Sequence, residues 1–252
     1  MPVLLAFPAG LMIGSFLTVI AHRLPRGQSW VGGRSRCPEC SAEIAAYDNI
    51  PVVSWLALRG RCRNCHTRVS ARYPLTELGL GLLYTGTVLA LGTDDLVQLG
   101  LGLVLCTVLV AITLTDLEQR IIPNKIVASG AVVALVVLAA ADPSLLPERL
   151  AAAAIAGGVL FLIAFAYPRG MGMGDVKLVA MMGLYLGAAI APAALVGFAA
   201  GAVVGVAMMA RDGASARKQA IPFGPFLALG GIVGLWVGPE LVDWYVSTFF
   251  AA

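Results

Sequence analysis

Apolar positions along the chain fall in long unbroken runs instead of the one-sided stripe of a soluble helix. Runs approaching the ~20 residues that cross a hydrocarbon layer recur about eight times, over 3–21, 75–91, 96–115, 126–141, 150–167, 176–190, 192–210 and 225–247. The sixth and seventh touch at "AAIAPAA". This pattern predicts an all-α polytopic membrane protein of about eight transmembrane helices. One polar stretch is large enough to form a body of its own. The expected organisation is therefore a first transmembrane helix over 1–21, an insert over 22–73 and a transmembrane bundle over 74–252.

Composition agrees. The chain is 59% hydrophobic and 12% charged, against about 45–50% and about 25% in soluble domains, which excludes an ordinary soluble enzyme. Its few charges are distributed unevenly. Arg23, Arg26, Arg34, Arg36, Arg59, Arg61, Arg63, Arg68 and Arg72 follow the first run; Arg120 and Lys125 follow the third, Arg169 and Lys177 the fifth, and Arg211, Arg217 and Lys218 the seventh. Only Arg149 of the 17 basic residues falls on the other side, together with Asp94, Asp95, Asp142, Glu148 and Glu240. Lys and Arg concentrate in cytoplasmic loops, so both termini are expected outside and the insert inside. No basic residue precedes the first run and "AHRLPR" follows it, which argues against a cleaved secretory signal. The net charge of +3 is an orientation signal. The lipid bilayer is the expected surrounding and no nucleic acid is needed as a partner.

The insert carries "CPEC" at 37–40 and "CRNC" at 62–65. Each C-x2-C puts two thiolates on one turn, and the 21 residues between the pairs let two such turns close a tetrahedral site of Cys37, Cys40, Cys62 and Cys65. On a reducing cytosolic side, zinc in a structural role is the expected occupant. A rubredoxin-like iron centre is the main metal alternative. "CRNCH" also matches a c-type haem attachment, but that would need export and would leave Cys37 and Cys40 unexplained. His66 is read as an exposed loop residue and Cys106 as a small buried hydrophobe. No internal repeat at a fixed period is visible.

Two acids stand at apolar run ends. Asp175 opens the sixth run behind "GMGMG", and Asp116 closes the third in "TDLEQRIIPN". By the loop count both lie on the cytoplasmic face at similar depth, where charge is costly and usually functional. Asp175 could simply cap a helix. As a pair, two carboxylates sharing a site cannot both ionise easily, and such a couple can activate water and protonate a leaving amine. Gly170, Gly172 and Gly174 leave room for an extended peptide beside the acid. Lys177 is either a cytoplasmic anchor or a countercharge for Asp175. Glu118 is expected to point elsewhere, Glu77 is a second acid at the interface, and "IPN" (122–124) and "IPFGPF" (221–226) read as turns and helix starts.

Five stretches in order, "GSFLTVIAHRLP" (14–25), "CPEC…DNIPVVSWLALRGRCRNC" (37–65), "SARYPLTEL" (70–78), "TDLEQRIIPN" (115–124) and "GMGMGDVKL" (170–178), together resemble the prepilin peptidases, or type IV leader peptidases. The resemblance runs from near the N-terminus to about residue 180. It implies a GxGD aspartic protease of the bacterial inner membrane. Such an enzyme cuts the basic leader from type IV prepilins or type II secretion pseudopilins after a glycine, on the cytoplasmic side, and commonly methylates the new N-terminal amine with S-adenosylmethionine. It further implies Asp116 and Asp175 as the catalytic pair, with Gly172, Gly174 and Lys177 supporting them, and the four cysteines as zinc ligands. The family pattern often has Asn where this chain has Thr18. The rival from another class is an ion-coupled transporter with paired acids at broken helices.

Overall fold

The computed structural model describes residues 2–27, 35–168, 170–213 and 221–250. Arg34, Arg169, Arg217 and Lys218, counted toward orientation, lie outside the described residues. The chain forms α1 (Pro2–Arg23), α2 (Val53–Ala57), α3 (Arg72–Leu91), α4 (Leu96–Gln119), α5 (Asn124–Ala141), α6 (Leu146–Ala166), α7 (Met173–Leu186), α8 (Ile190–Asp212) and α9 (Gly224–Phe249). The described residues form no strand, only two isolated bridges inside the insert. The chain divides into two compact units, one reaching to Leu89 and the other beginning at Ala90.

In the first unit, α1 and α3 meet backbone to backbone through small residues. A Cβ on Gly10 would lie 2.7 Å from the Cα of Gly81, and one on Gly14 would lie 2.8 Å from the Cα of Glu77. Such close approach is how helices gain packing energy where no water drives them together. Thr18, in α1, donates its hydroxyl to the Ser15 carbonyl at 2.7 Å. Its polar group is thus satisfied within its own helix.

The second unit is built around α7, whose residues from Leu178 to Gly187 are nearly all buried. Leu105, Leu109 and Ile112 of α4, Leu138 of α5, Leu178, Met181 and Met182 of α7 and Leu227 of α9 are the large side chains wholly removed from the surface. Gly157 of α6 faces Ala180 of α7, and Gly183 of α7 faces Ala153 of α6, so these two helices run antiparallel. The α8/α9 pair is also antiparallel, with Gly197 on Leu227 and Gly238 on Ala189.

Seven helical runs among the described residues are long and apolar enough to cross a membrane, and the sixth, Met173–Arg211, covers 39 residues. That run holds two helices, because a 3-10 turn at Gly187–Ala189 separates α7 from α8. Gly187 takes φ +56°, and Glu148 Oε1 accepts the Ala188 N–H at 3.3 Å. The chain reverses here: α7 runs parallel to α9, with Met182 at Gly231 and Ala189 at Gly238, whereas α8 runs antiparallel to it, with Gly197 at Leu227 and Gly201 at Phe223. The run expected over 176–190 therefore ends as a helix at Leu186. With 14 residues, α7 is about 21 Å long, short of a hydrocarbon core of about 30 Å. Hydropathy overlooks this turn because the Gly and Ala that make it are themselves apolar. The short helix is tolerated because α4, α5, α6 and α9 pack around it, leaving little of it to face lipid.

Candidate active site and metal centre

The two cysteine turns are copies of one backbone path. The Cys37 N–H donates to the Ala42 carbonyl at 3.0 Å and the Ser41 N–H to that of Cys37 at 2.9 Å; the Cys62 N–H donates to Thr67 at 2.9 Å and the His66 N–H to Cys62 at 3.0 Å. Ser41 and His66 are both left-handed, at φ 56° and 58°. Arg36 bridges Glu43 as Arg61 bridges Arg68. This local repeat was hidden in the sequence because little beyond the Arg-Cys-x-x-Cys frame matches. His66 is exposed.

The two turns face one another, and all four sulfurs lie within 4.8 Å, with Cys37 and Cys65 at 3.7 Å. Zinc–sulfur bonds of about 2.3 Å in a tetrahedron put sulfurs roughly 3.8 Å apart, whereas a disulfide needs about 2.0 Å. Backbone N–H groups of Cys65 and then Asn64 push the Cys62 thiol down to about 7. Cys65 feels the Thr67 N–H in the same sense, but lost hydration and the neighbouring Cys40, Cys37 and Cys62 sulfurs push it up to about 12. Four sulfurs this close resist ionising together, and a dication relieves that repulsion. The donor set, spacing and electrostatics fit a tetrahedral metal. Cys106 lies apart from them, buried in α4.

The rest of the insert braces the centre. Arg63 grips Asp48 with two hydrogen bonds, of 2.8 and 2.6 Å, and lies 5.4 Å from the Tyr47 ring centroid. That grip holds the Asp48 carboxyl below the usual carboxylate range. Trp55 donates from Nε1 to the Val69 carbonyl at 3.0 Å. Glu77 is buried in α3 and accepts the Val52 N–H at 2.7 Å, so this acid ties the insert to a span.

In the second unit, the end of α4 and the starts of α7 and α9 converge. Asp116 is 5% exposed, and α4 stops just beyond it because Arg120 turns left-handed at φ 54° and returns its N–H to the Asp116 carbonyl at 2.8 Å. Asp175 is the third residue of α7, half-buried, with Gly172 at the cap position. Asp116 is the charged group that bears on the Asp175 carboxyl. A Cβ on Gly172 would lie 3.1 Å from Asp175 Oδ2, and one on Gly174 would lie 3.0 Å from the Ile122 Cβ. The "IIPN" loop thus crosses the glycine turn where a side chain would not fit. Lys177 donates from Nζ to Asn124 Oδ1 at 3.0 Å and so fastens α7 to the first residue of α5. Glu118 is half-exposed on α4.

Two participants escaped the sequence reading. Gly224, in "IPFGPF", donates its N–H to Asp116 Oδ2 at 2.7 Å in a buried hydrogen bond. As the first residue of α9 it offers an N–H with no partner inside its own helix, at the positive end of the helix dipole. Phe223, beside it, packs at 5.3 Å from Phe198 and 5.9 Å from Phe226, centroid to centroid. The second is Gln119, one turn past Asp116 on α4, whose Nε2 is buried with no partner. Proline and glycine opening an apolar run were the only signal for Gly224, since a backbone donor leaves no mark of its own in a sequence.

Residues 9–91 match the family model of the bacterial peptidase A24 N-terminal domain, and residues 103–210 match that of the type IV leader peptidase family. A protein of Stutzerimonas stutzeri named prepilin leader peptidase/N-methyltransferase is 33% identical over 97% of this chain and 94% of its own length. Proteins of the same name from Pseudomonas putida and Aeromonas salmonicida are each 34% identical, over 94% and 97% of this chain and 91% and 94% of theirs. No solved structure matches the chain.

Proposed function

The chain belongs to the type IV leader peptidase family, and from that membership we propose that it cleaves the leader from type IV prepilins or type II secretion pseudopilins and methylates the new N-terminus. It is a multi-pass membrane protein and an aspartic endopeptidase. The observation that supports the catalytic assignment is that Asp116, held by the start of α9, bears electrostatically on Asp175 at the start of α7. Neither site nor relatives support an ion-coupled transporter.

The chemistry follows from the two environments. The Gly224 N–H holds one Asp116 oxygen in place, and the two carboxyls divide the work with Asp116 as the base and Asp175 as the acid. Asp116 takes a proton from water as the water oxygen bonds to the carbonyl carbon of the leader glycine. Asp175 gives its proton to the amide nitrogen, the C–N bond breaks, and a leader carboxylate and a mature amine leave. The buried Gln119 amide is a donor available to the peptide backbone beside them. The glycine turn before α7 supplies the room that an extended peptide needs.

Zinc is the metal assigned to Cys37, Cys40, Cys62 and Cys65, where it would close the insert structurally. S-adenosylmethionine would supply the methyl group to the freed amine. No strand–turn–helix nucleotide cradle occurs among the described residues, and no residue is assigned to that donor. The bacterial relatives support the inner (plasma) membrane of a bacterium, and the basic-residue count supports aspartates turned toward the cytoplasm.

The test is to incubate purified protein in detergent with a pilin precursor, with and without S-adenosylmethionine, and weigh the products. Loss of the leader plus one methyl group is expected. Asp116→Asn and Asp175→Asn should each lower cleavage by about 10²–10⁴-fold at unchanged zinc content. Retained cleavage in either variant would overturn the catalytic pair.

A further inference from the structure

We infer that the insert seats α2 and its apolar flank in the headgroup layer of an anionic bilayer. The inference goes beyond peptide cleavage and rests only on the membrane-spanning character of α1 and α3.

Depth is the first observation. The Val52 N–H, at the cap of α2, is bonded to Glu77 Oε2 at 2.7 Å. Glu77 lies five residues into α3, about 7 Å along the helix axis. On α1 the same level is marked by Gly14, whose Cβ position would be 2.8 Å from the Glu77 Cα, and Gly14 precedes the end of α1 by nine residues, about 13 Å. The start of α2 is therefore held below the polar ends of both spans that the insert connects. A segment hanging free in the cytosol would lie beyond those ends.

The second observation is what this segment exposes. Ile50, Val53 and Leu56 are 49%, 59% and 62% exposed, and Tyr47 is 64% exposed. Ser54 is buried beneath them, accepting the Ile50 N–H at 3.1 Å and donating to the Tyr47 carbonyl at 2.8 Å. Val53 and Leu56, three residues apart on α2, share a face turned from the buried Ser54, and the exposed Ile50 lies on the extended segment that leads into it. At this depth the available partner for such a face is the boundary between headgroups and acyl chains.

Charge selects the lipid. The insert's Glu43 is paired with Arg36 and its Asp48 with Arg63, while Arg59, Arg61 and Arg68 are exposed. Arginines beside an interfacial apolar segment favour anionic headgroups.

The full, zinc-loaded chain carrying Leu56→Trp, reconstituted in nanodiscs, provides the test by difference from the unsubstituted protein. With phosphatidylglycerol brominated on the acyl carbons nearest the headgroup, the added indole emission should fall at least about twofold, as for an interfacial side chain. Quenching should be weaker with bromines at the chain ends and weaker again in phosphatidylcholine, and aqueous iodide should have little effect. Quenching by iodide but not by bromines would place the face in water and overturn the proposal. Shielding from both quenchers would mean that protein covers the face, which also overturns it. Equal quenching in both lipids would overturn the choice of an anionic surface. If the variant binds less than one zinc per chain, Ile50→Trp serves as the second probe under the same criteria.

Discussion

At Asp116 one oxygen is occupied by the Gly224 N–H at 2.7 Å, and residue 224 itself lies too close to the carboxyl to carry a side chain without a shift. A Cβ added to Gly224 would sit 2.9 Å from that oxygen and 3.2 Å from the carboxyl carbon. Gly224→Ala must therefore turn the carboxylate or push back the start of α9. Catalytic geometry is sensitive to displacements of this size, since an error of about 1 Å can cost about 10²-fold. The expected result is a 10- to 100-fold fall in kcat with a small change in KM, read in a cleavage assay at saturating precursor. A companion prediction concerns Glu77. Glu77→Gln keeps an acceptor for Val52 and should leave the insert intact, whereas Glu77→Ala strands a backbone N–H at a cost of about 1–3 kcal/mol, visible as faster amide exchange in α2.

The packing of α7 against α6 shows what its glycines do at the level of whole helices. A Cβ on Gly183 would lie 2.6 Å from the Ala153 Cα, which is backbone and cannot rotate away, while Gly158 on α6 has open space around it. Gly183→Ala should lower stability by about 1–3 kcal/mol and reduce cleavage, because α7 carries Asp175. Gly158→Ala should be near neutral in the same thermal unfolding measurement in detergent. Helices and acids were legible in the sequence for related reasons. A chain crossing lipid must satisfy its backbone internally, so an apolar run implies a helix, and a carboxylate at its end stands out as costly. The break between the sixth and seventh runs was legible, but it was placed a few residues late, because Gly187–Ala189 are as apolar as the helices they join. The partner of Lys177 was not legible, because Asn124 reaches it through a tertiary contact across 53 residues. Gly224 was hidden for a third reason: its contribution is a backbone N–H, which every residue but proline possesses.

Across the whole molecule, the proposed catalytic pair and the proposed metal site belong to different units. The first family-model match, 9–91, ends two residues past the division at Leu89/Ala90, and the second, 103–210, lies wholly in the later unit. Asp116, Asp175, Gly224, Gln119 and Lys177 all belong to the later unit, and the four cysteines to the earlier one. The insert between α1 and α3 has few buried apolar residues of its own, Cys37 among them, so its order depends on cross-links: the sulfur cluster, the Arg63–Asp48 pair and the Glu77 anchor. The later unit has a continuous core of Leu, Ile and Met and needs no metal to hold it. Stripping zinc with a chelator should therefore raise amide exchange across 35–71 and leave α4 to α9 as protected as before, since metal-binding free energy is folding free energy only where the ligands lie. Cleavage of a short precursor should persist in the stripped protein. If protection were lost across α4 to α9 as well, the two units would have to fold as one, and the metal would have to be counted among the supports of the catalytic pair.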